Sequence, residues 1–98
     1  MEPLQRVTAP TLDVLSLMLE RAAERGGPVF GLEIMKACGR PSGTIYPILE
    51  RLEKQGWVRS EWEQVTDTQL RRRRLYEFTP EGADAAREVC AQHPRPSA

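Results

Sequence analysis

The 98-residue sequence predicts a mainly α-helical domain with a small β-hairpin, an α+β fold. Apolar residues recur at helical spacing in four segments, and glycine or proline residues separate these segments. Between the third and fourth segments, two short stretches have the character of strands joined by a polar loop. A three-helix core, a hairpin and a closing helix are the elements of a winged helix-turn-helix, and we predict that architecture.

Length and composition allow one domain with one modest core. Apolar residues make up 40% of the chain, and no apolar run approaches the roughly 18 residues needed to span a bilayer. The N-terminus shows no signal peptide, so we expect a cytoplasmic location and no membrane partner. We expect a flexible arm over residues 1–9, the domain over residues 10–92 and a tail over residues 93–98.

The first helix is predicted over residues 12–23, where Leu12, Leu15 and Leu19 recur at helical spacing. Met18 widens this apolar stripe toward a second face. A helix that is apolar on two sides can pack on its own core and on a partner subunit, or it can simply be well buried in a small core. The sequence leaves both alternatives open.

A short second helix is predicted over residues 31–38. The Gly-Gly-Pro segment at residues 26–28 ends the first helix, and the next two residues form either a very short strand or an extended connector. In the second helix we expect Leu32 and Met35 to face inward and Ile34 to lie near the edge.

The third helix is the best defined element of the sequence. Ser42 is predicted as its N-cap, because a serine oxygen can accept a hydrogen bond from an unpaired amide. Pro47 lies early enough that its missing N–H group costs less than in the middle of a helix, and Gly56 ends the helix. Its buried stripe is predicted to contain Ile45, Ile48, Leu49 and Leu52.

The hairpin is predicted from strands over residues 57–63 and 73–78, joined by a polar loop over residues 64–69. Thr79 then caps the last helix, and Pro80 occupies its first position, where proline is favoured. The apolar stripe of this helix contains Ala86 and Val89.

The net charge is zero, but its distribution is uneven. Residues 31–60 contain five basic and three acidic residues, and four consecutive arginines occupy residues 71–74. Acidic residues gather near both ends of the chain. This asymmetry predicts that positive charge is concentrated on one face of the domain, while the rest of the surface is hydrated and carries mixed charges.

The sequence contains no constellation typical of an enzyme. It has no glycine-rich phosphate loop, no G-x-S-x-G motif and no paired histidine and cysteine. Cys38 and Cys90 are far apart, and the one histidine lies near the C-terminus, so a zinc site with about four ligands is not indicated. We expect no catalysis, metal or cofactor, and two partly buried thiols, with a redox switch as the alternative.

The start of the third helix and the arginine cluster together predict a surface for double-stranded DNA. Amide and hydroxyl groups at the helix N-terminus can bind phosphates, and the ring of Tyr46 can pack on a sugar or a thymine methyl. The hairpin arginines could enter a minor groove or line its phosphates. The predicted DNA-binding residues are Ser42, Gly43, Thr44, Tyr46, Pro47, Arg51, Arg71, Arg72, Arg73 and Arg74.

Three segments resemble the PadR family of bacterial transcriptional regulators. They are G-L-E-I at residues 31–34, G-T-I-Y-P-I-L-E-R-L-E-K-Q-G-W-V at residues 43–58, and R-L-Y-E-F-T-P-E-G at residues 74–82. The resemblance implies a winged-helix homodimer that binds a pseudo-palindromic operator, usually as a repressor. It also implies that the third helix and the wing contact DNA.

The same resemblance implies that the first and last helices build the dimer, with residues 80–92 contributing. Because the chain ends soon after that helix, it resembles the short subgroup of the family. The residues expected at the dimer interface are Leu12, Leu15, Met18, Leu19, Ala86 and Val89.

Members of the family often respond to small aromatic or hydrophobic compounds. Trp57 and Trp62 are candidates to bind such an effector by stacking, and packing within the hairpin is the alternative role for them. Zero net charge favours a second function for the whole domain, a protein–protein adaptor that does not bind DNA. The arginine cluster argues against an adaptor unless its partner is acidic.

Overall fold

The computed structural model describes residues 1–4, 6–63 and 73–93. The predicted loop, Arg71, Arg72 and residues 94–98 lie outside the described residues. The helices of the described part are α1 (Ala9–Arg25), α2 (Gly31–Cys38), α3 (Ser42–Lys54) and α4 (Pro80–Gln92). Its strands are β1 (Val29–Phe30), β2 (Val58–Trp62) and β3 (Arg74–Phe78). None of the described helices combines the length and the apolar character needed to cross a membrane.

The strands form an antiparallel sheet in the order β1-β3-β2. In the hairpin, here called the wing, Val58 lies opposite Phe78 and Trp62 lies opposite Arg74. On the other side of β3, Val29 lies opposite Tyr76. The segment before α2 is therefore a strand, and the predicted hairpin is part of a three-stranded sheet.

The core lies between α1, α3 and the sheet. All four residues predicted for the inner face of α3 are buried, which confirms that stripe. The buried apolar side chains are Val14, Leu15, Leu17, Met18, Val29, Ile34, Ile45, Ile48, Leu49, Leu52, Trp57, Val58, Tyr76 and Ala86.

The predicted inner face of α2 is wrong for Leu32 and Ile34, whereas Met35 packs against the core as expected. Ile34 is completely buried, whereas 43% of the surface of Leu32 is exposed. A Cβ atom at Gly31 would lie 2.9 Å from Tyr46 Cε1 and 3.1 Å from Tyr76 Cε2, so the main chain of Gly31 faces the core. Ile34 lies one turn later on the same face. Because Gly31 has no side chain, the apolar pattern of the sequence did not reveal that face.

Two helix starts differ from the predictions. α1 begins earlier, at Ala9, and the side-chain oxygen of Thr8 accepts a 3.3 Å hydrogen bond from the Thr11 amide. At α3 the N-cap is Pro41 and not Ser42, because the carbonyl of Pro41 already accepts from the Ile45 amide at 3.1 Å. The Thr79 cap is confirmed, since its hydroxyl oxygen accepts from the Gly82 amide at 3.0 Å.

The N-terminal arm makes specific contacts that its sequence did not predict. The amide of Glu2 donates to the carbonyl of Gln55 at 2.9 Å. The carbonyl of Glu2 accepts a 2.6 Å hydrogen bond from Trp57 Nε1. The arm predicted to be flexible is therefore anchored at its first residues beside the end of α3.

Three of the residues expected at a dimer interface lie inside the single chain. Leu15 and Ala86 are completely buried, and Met18 is 2% exposed. This corrects the expectation for these three, because their side chains already pack in the core and present no surface. Leu12, Leu19 and Val89 are only partly buried.

Candidate nucleic-acid interface

The first turn of α3 lies on the protein surface. Ser42, Gly43 and Pro47 are exposed, and Thr44 is half-buried. A Cβ atom built on Gly43 would meet no other atom within 4 Å. Glycine is a poor helix former, and contacts within the described chain do not require it here. An external surface that approaches this turn closely would explain the missing side chain.

Tyr46 is half-buried, so less of its ring is free to contact a sugar or a thymine methyl than the prediction assumed. Its ring edge packs against the main chain of Gly31, where a Cβ atom would lie 3.1 Å from the Tyr46 hydroxyl. The ring therefore links α3 to the start of α2. The rest of the side chain borders a cleft between α3 and the wing.

This cleft, called the α3–wing cleft below, has a volume of about 770 Å³. It places the surface of α3 beside the two described arginines of the predicted cluster. Its lining residues are Leu32, Tyr46, Glu50, Glu53, Trp62, Arg73, Arg74 and Tyr76.

Arg73 is held by a carboxylate and an aromatic ring. Its Nε and Nη2 atoms donate to the two oxygens of Glu63 at 3.0 and 2.8 Å. The guanidinium carbon lies 4.0 Å from the centre of the Phe30 ring, within the range of a cation–π contact. The hydrogen bond to Glu63 raises the pKa of Arg73 above its ordinary value, and Arg73 remains charged.

Arg74, the next residue, is held in a similar way. Its Nε and Nη2 atoms donate to Ser60 Oγ at 3.1 and 2.7 Å. Its guanidinium lies 4.9 Å from the Trp62 ring centre, and Nη2 lies 3.7 Å from Glu53 Oε1. Both arginines are thus preoriented at the cleft, with their charges partly balanced by carboxylates.

These acidic partners were not among the residues predicted from the sequence. The Glu63 amide donates to the Arg73 carbonyl at 2.8 Å, so the two residues are neighbours across the hairpin. Opposite charges at facing positions are a known stabilising pair, and the hairpin register would have revealed this one. The pair formed by Glu53 and Arg74 joins separate elements, and no local pattern signals it.

Arg51 is exposed on α3, as the prediction of a phosphate contact requires. Lys54, the last residue of α3, is also exposed. Both cations lie in the last turn of α3. They add positive charge to the outer surface of α3.

Tyr76 forms part of the cleft wall, but its surface is only 4% exposed. Burial raises the pKa of its hydroxyl above the ordinary value, because it disfavours the charged form. The charge of Arg74 lowers this pKa, and the charges of Glu53 and Glu50 raise it. The phenol is therefore neutral near pH 7.

The two tryptophans have different roles. Trp57 is 2% exposed and packs in the core, so the expectation that it binds an effector is corrected. Its burial follows from the anchor to Glu2 and from its position at the start of the wing. Trp62 is 52% exposed and lies at the rim of the α3–wing cleft, where a ligand can reach it.

Among residues 1–4, 6–63 and 73–93, no group of three or more histidine, cysteine, aspartate or glutamate side chains is placed to hold a metal ion. Cys38 and Cys90 are both half-buried thiols that are not joined in a disulfide. Ser16 Oγ lies 3.6 Å from Cys90 Sγ, which joins α1 to α4.

An exposed helix beside an arginine-bearing antiparallel wing defines a winged helix-turn-helix, a class of DNA-binding protein. The model of the transcriptional regulator PadR-like family matches residues 18–88. The chain belongs to that family. A search of curated proteins finds no significant match.

Solved structures with the same fold include other regulators. The PcaV transcriptional regulator from Streptomyces coelicolor, in complex with its natural ligand, has a TM-score of 0.67 and 25% identity over 91% of this chain. S. aureus MepR in a DNA-binding conformation has a TM-score of 0.66 and 19% identity over 87% of this chain. The chain spans only 57% of the length of each of these two proteins.

A protein from Ralstonia eutropha JMP134 is similar in size as well as in fold. It has a TM-score of 0.65 and 22% identity, and the match covers 86% of this chain and 98% of that chain. At this identity the likeness shows the fold alone. Together with the family, it confirms the predicted winged helix.

Proposed function

We propose that the protein is a repressor that binds a pseudo-palindromic operator as a homodimer and blocks a promoter by occupancy. The observation that carries this proposal is the α3–wing cleft. The helix α3, through Tyr46 and Glu50, lines the same open surface as the side chains of Arg73 and Arg74. A DNA strand that follows this surface can meet both.

In the proposed complex, α3 enters the major groove with its N-terminal residues leading. The amides of Ser42 and Gly43 face a phosphate with the favourable helix dipole behind them. Arg51 neutralises a further phosphate. Arg73 and Arg74 can exchange a carboxylate partner for a phosphate without losing the aromatic contacts that orient them. Arg71 and Arg72 are proposed to extend this cationic surface.

The dimer is proposed to form through α1 and α4. Leu12, Leu19 and Val89 retain exposed surface on these helices. A cavity of about 530 Å³ lies between α1, α4 and the sheet, and its lining includes Leu19 and Phe78. Two subunits would present their α3 helices to half-sites about one helical turn, roughly 34 Å, apart.

A small aromatic or hydrophobic effector is proposed to bind in the α3–wing cleft. Trp62 and Leu32 expose 52% and 43% of their surfaces, and both line this cleft. Exposed apolar side chains that face one concave surface are typical of a binding site. An effector stacked on Trp62 would occupy the space proposed for DNA, and it would therefore release the operator.

A titration with duplexes from the promoter region upstream of the chain's own coding sequence tests the main proposal. At two salt concentrations, we expect saturable binding that weakens steeply as salt rises, because cations on the protein displace counterions from phosphates. Light scattering should give the mass of a dimer. A protein that forms dimers but binds no duplex at low salt would instead support the adaptor alternative.

A further inference from the structure

The outer face of α3 carries a row of four exposed residues: Gly43, Pro47, Glu50 and Lys54. Their spacing of four, three and four residues places them on one side of the helix. This side lies opposite the buried stripe that begins at Ile45. If α3 enters a major groove, this row faces the bases more directly than any other part of the helix.

Glu50 differs from the other glutamate that lines the cleft and from the glutamate that pairs with Arg73. Glu53 pairs with Arg74, and Glu63 pairs with Arg73. Within the described residues Glu50 forms no ion pair, although Lys54 lies one turn further along the helix. Its carboxylate is therefore available to an external donor.

A free carboxylate is an unexpected group on a surface that binds phosphates. Repulsion from the DNA backbone opposes its presence, unless a donor on the DNA compensates for it. Gly43 and Pro47, in the same row, have no long side chain that would hold the helix away from the groove floor. The row therefore allows the Glu50 carboxylate to approach the base edges.

We propose that Glu50 reads cytosine in each half-site by accepting a hydrogen bond from its N4 amino group. This inference rests on the proposed DNA-binding function and adds a specificity residue to it. In the major groove only cytosine N4 and adenine N6 are amino donors. The adenine amino group lies beside the acceptor N7, which repels a carboxylate, so cytosine is the better partner.

Selection of bound sequences from a pool of randomised duplexes tests this proposal. The wild-type chain should enrich a two-fold site with an invariant cytosine at one position of each half-site. Replacing that C·G pair should weaken binding by about tenfold or more. Glu50→Gln has the same shape without the charge, and glutamine pairs with adenine N6 and N7. This variant should lose the cytosine preference at that position alone, or exchange it for adenine.

Glu88→Gln is the matched control, because it removes the same charge from an exposed position on α4. It should raise affinity slightly for all duplexes and leave every base preference unchanged. Equal thermal midpoints of the wild type, Glu50→Gln and Glu88→Gln will show that the fold is retained. Glu50→Ala gives a second test, because it removes the carboxylate without introducing an amide.

Two results would overturn the inference in distinguishable ways. If the wild type enriches a site and Glu50→Gln enriches the identical site, Glu50 does not read a base, and the proposed function stands. If the wild type enriches no sequence at all, the operator-binding function fails together with this inference.

Discussion

Glu53 of α3 and Arg74 of β3 form an ion pair, in which Oε1 lies 3.7 Å from Nη2. The other oxygen of the same carboxylate accepts a hydrogen bond from Ser60 on β2. One side chain therefore joins α3 to both strands of the wing. This connection links the wing directly to the helix that we propose to enter DNA.

Replacing this carboxylate should loosen the wing while retaining the fold. The pair is about one-third exposed, so Glu53→Gln should lower the free energy of unfolding by at most about 1 kcal/mol. Amides of β2 and β3 should exchange with deuterium faster, and those of α1 should not change. Unchanged exchange in the wing would show that other contacts hold it.

The hydroxyl and the ring of Tyr46 should make separate contributions. Tyr46→Ala removes the packing against Gly31, so it should reduce both stability and operator affinity. Tyr46→Phe keeps the ring, so it should reduce operator affinity less than Tyr46→Ala and should leave the thermal midpoint nearly unchanged. If Tyr46→Phe and Tyr46→Ala both bind the operator like the wild type at moderate salt, α3 does not occupy the groove as proposed.

Arg51 should act through charge alone. Arg51→Ala should weaken binding to all duplexes alike and should reduce the slope of log affinity against log salt by about 1. Arg6→Ala, at an exposed position of the N-terminal arm, serves as the control and should leave the slope unchanged. Equal slopes for wild type and Arg51→Ala would exclude a phosphate contact at this position.

Gly82 and Gly43 should respond oppositely to alanine. A Cβ atom on Gly82 would overlap main-chain atoms of Trp57, so Gly82→Ala should destabilise the protein by about 1–3 kcal/mol or more. A Cβ atom on Gly43 meets open space, and Gly43→Ala should stabilise α3 by up to about 1 kcal/mol. Chemical denaturation measures the free energy of unfolding of both variants. A Gly82→Ala variant as stable as the wild type would contradict the packing described for α4. Gly43→Ala should nevertheless weaken operator binding.

Tyr76 should make the protein sensitive to alkali. Because burial raises its pKa in the folded state, its contribution to stability is complete below about pH 10 and is lost as the pH rises through the folded value. Between about pH 8 and about pH 11, the denaturation midpoint of Tyr76→Phe should therefore fall less than that of the wild type. If the midpoints of Tyr76→Phe and of the wild type fall equally with rising pH, the Tyr76 hydroxyl has the same pKa in the folded and the unfolded state.

The α3 stripe and the Thr79 cap could be predicted because local patterns determine them. Ile45, Ile48, Leu49 and Leu52 follow helical spacing, and Thr79-Pro80 is a local start signal. The inner face of α2 could not be predicted in this way. Its burial depends on contacts between Gly31 and two tyrosines that lie far along the chain.

The candidate site was only partly predictable for the same reason. The sequence indicated which residues carry positive charge, but the carboxylate partners of Arg73 and Arg74 depend on hairpin register and on docking of α3 against the wing. The anchor from Glu2 to Trp57 uses main-chain atoms, which a side-chain pattern does not reveal. These missed features of the site are contacts between residues far apart in the sequence.

Backbone amide chemical shifts, recorded before and after addition of an operator duplex, test the central proposal most directly. We predict that the largest changes fall on residues 42–51 and on β3 near Arg74, with smaller changes on α4. Changes confined to α1 and α4, with α3 and the wing unaffected, would contradict the proposal that DNA docks at the α3–wing cleft.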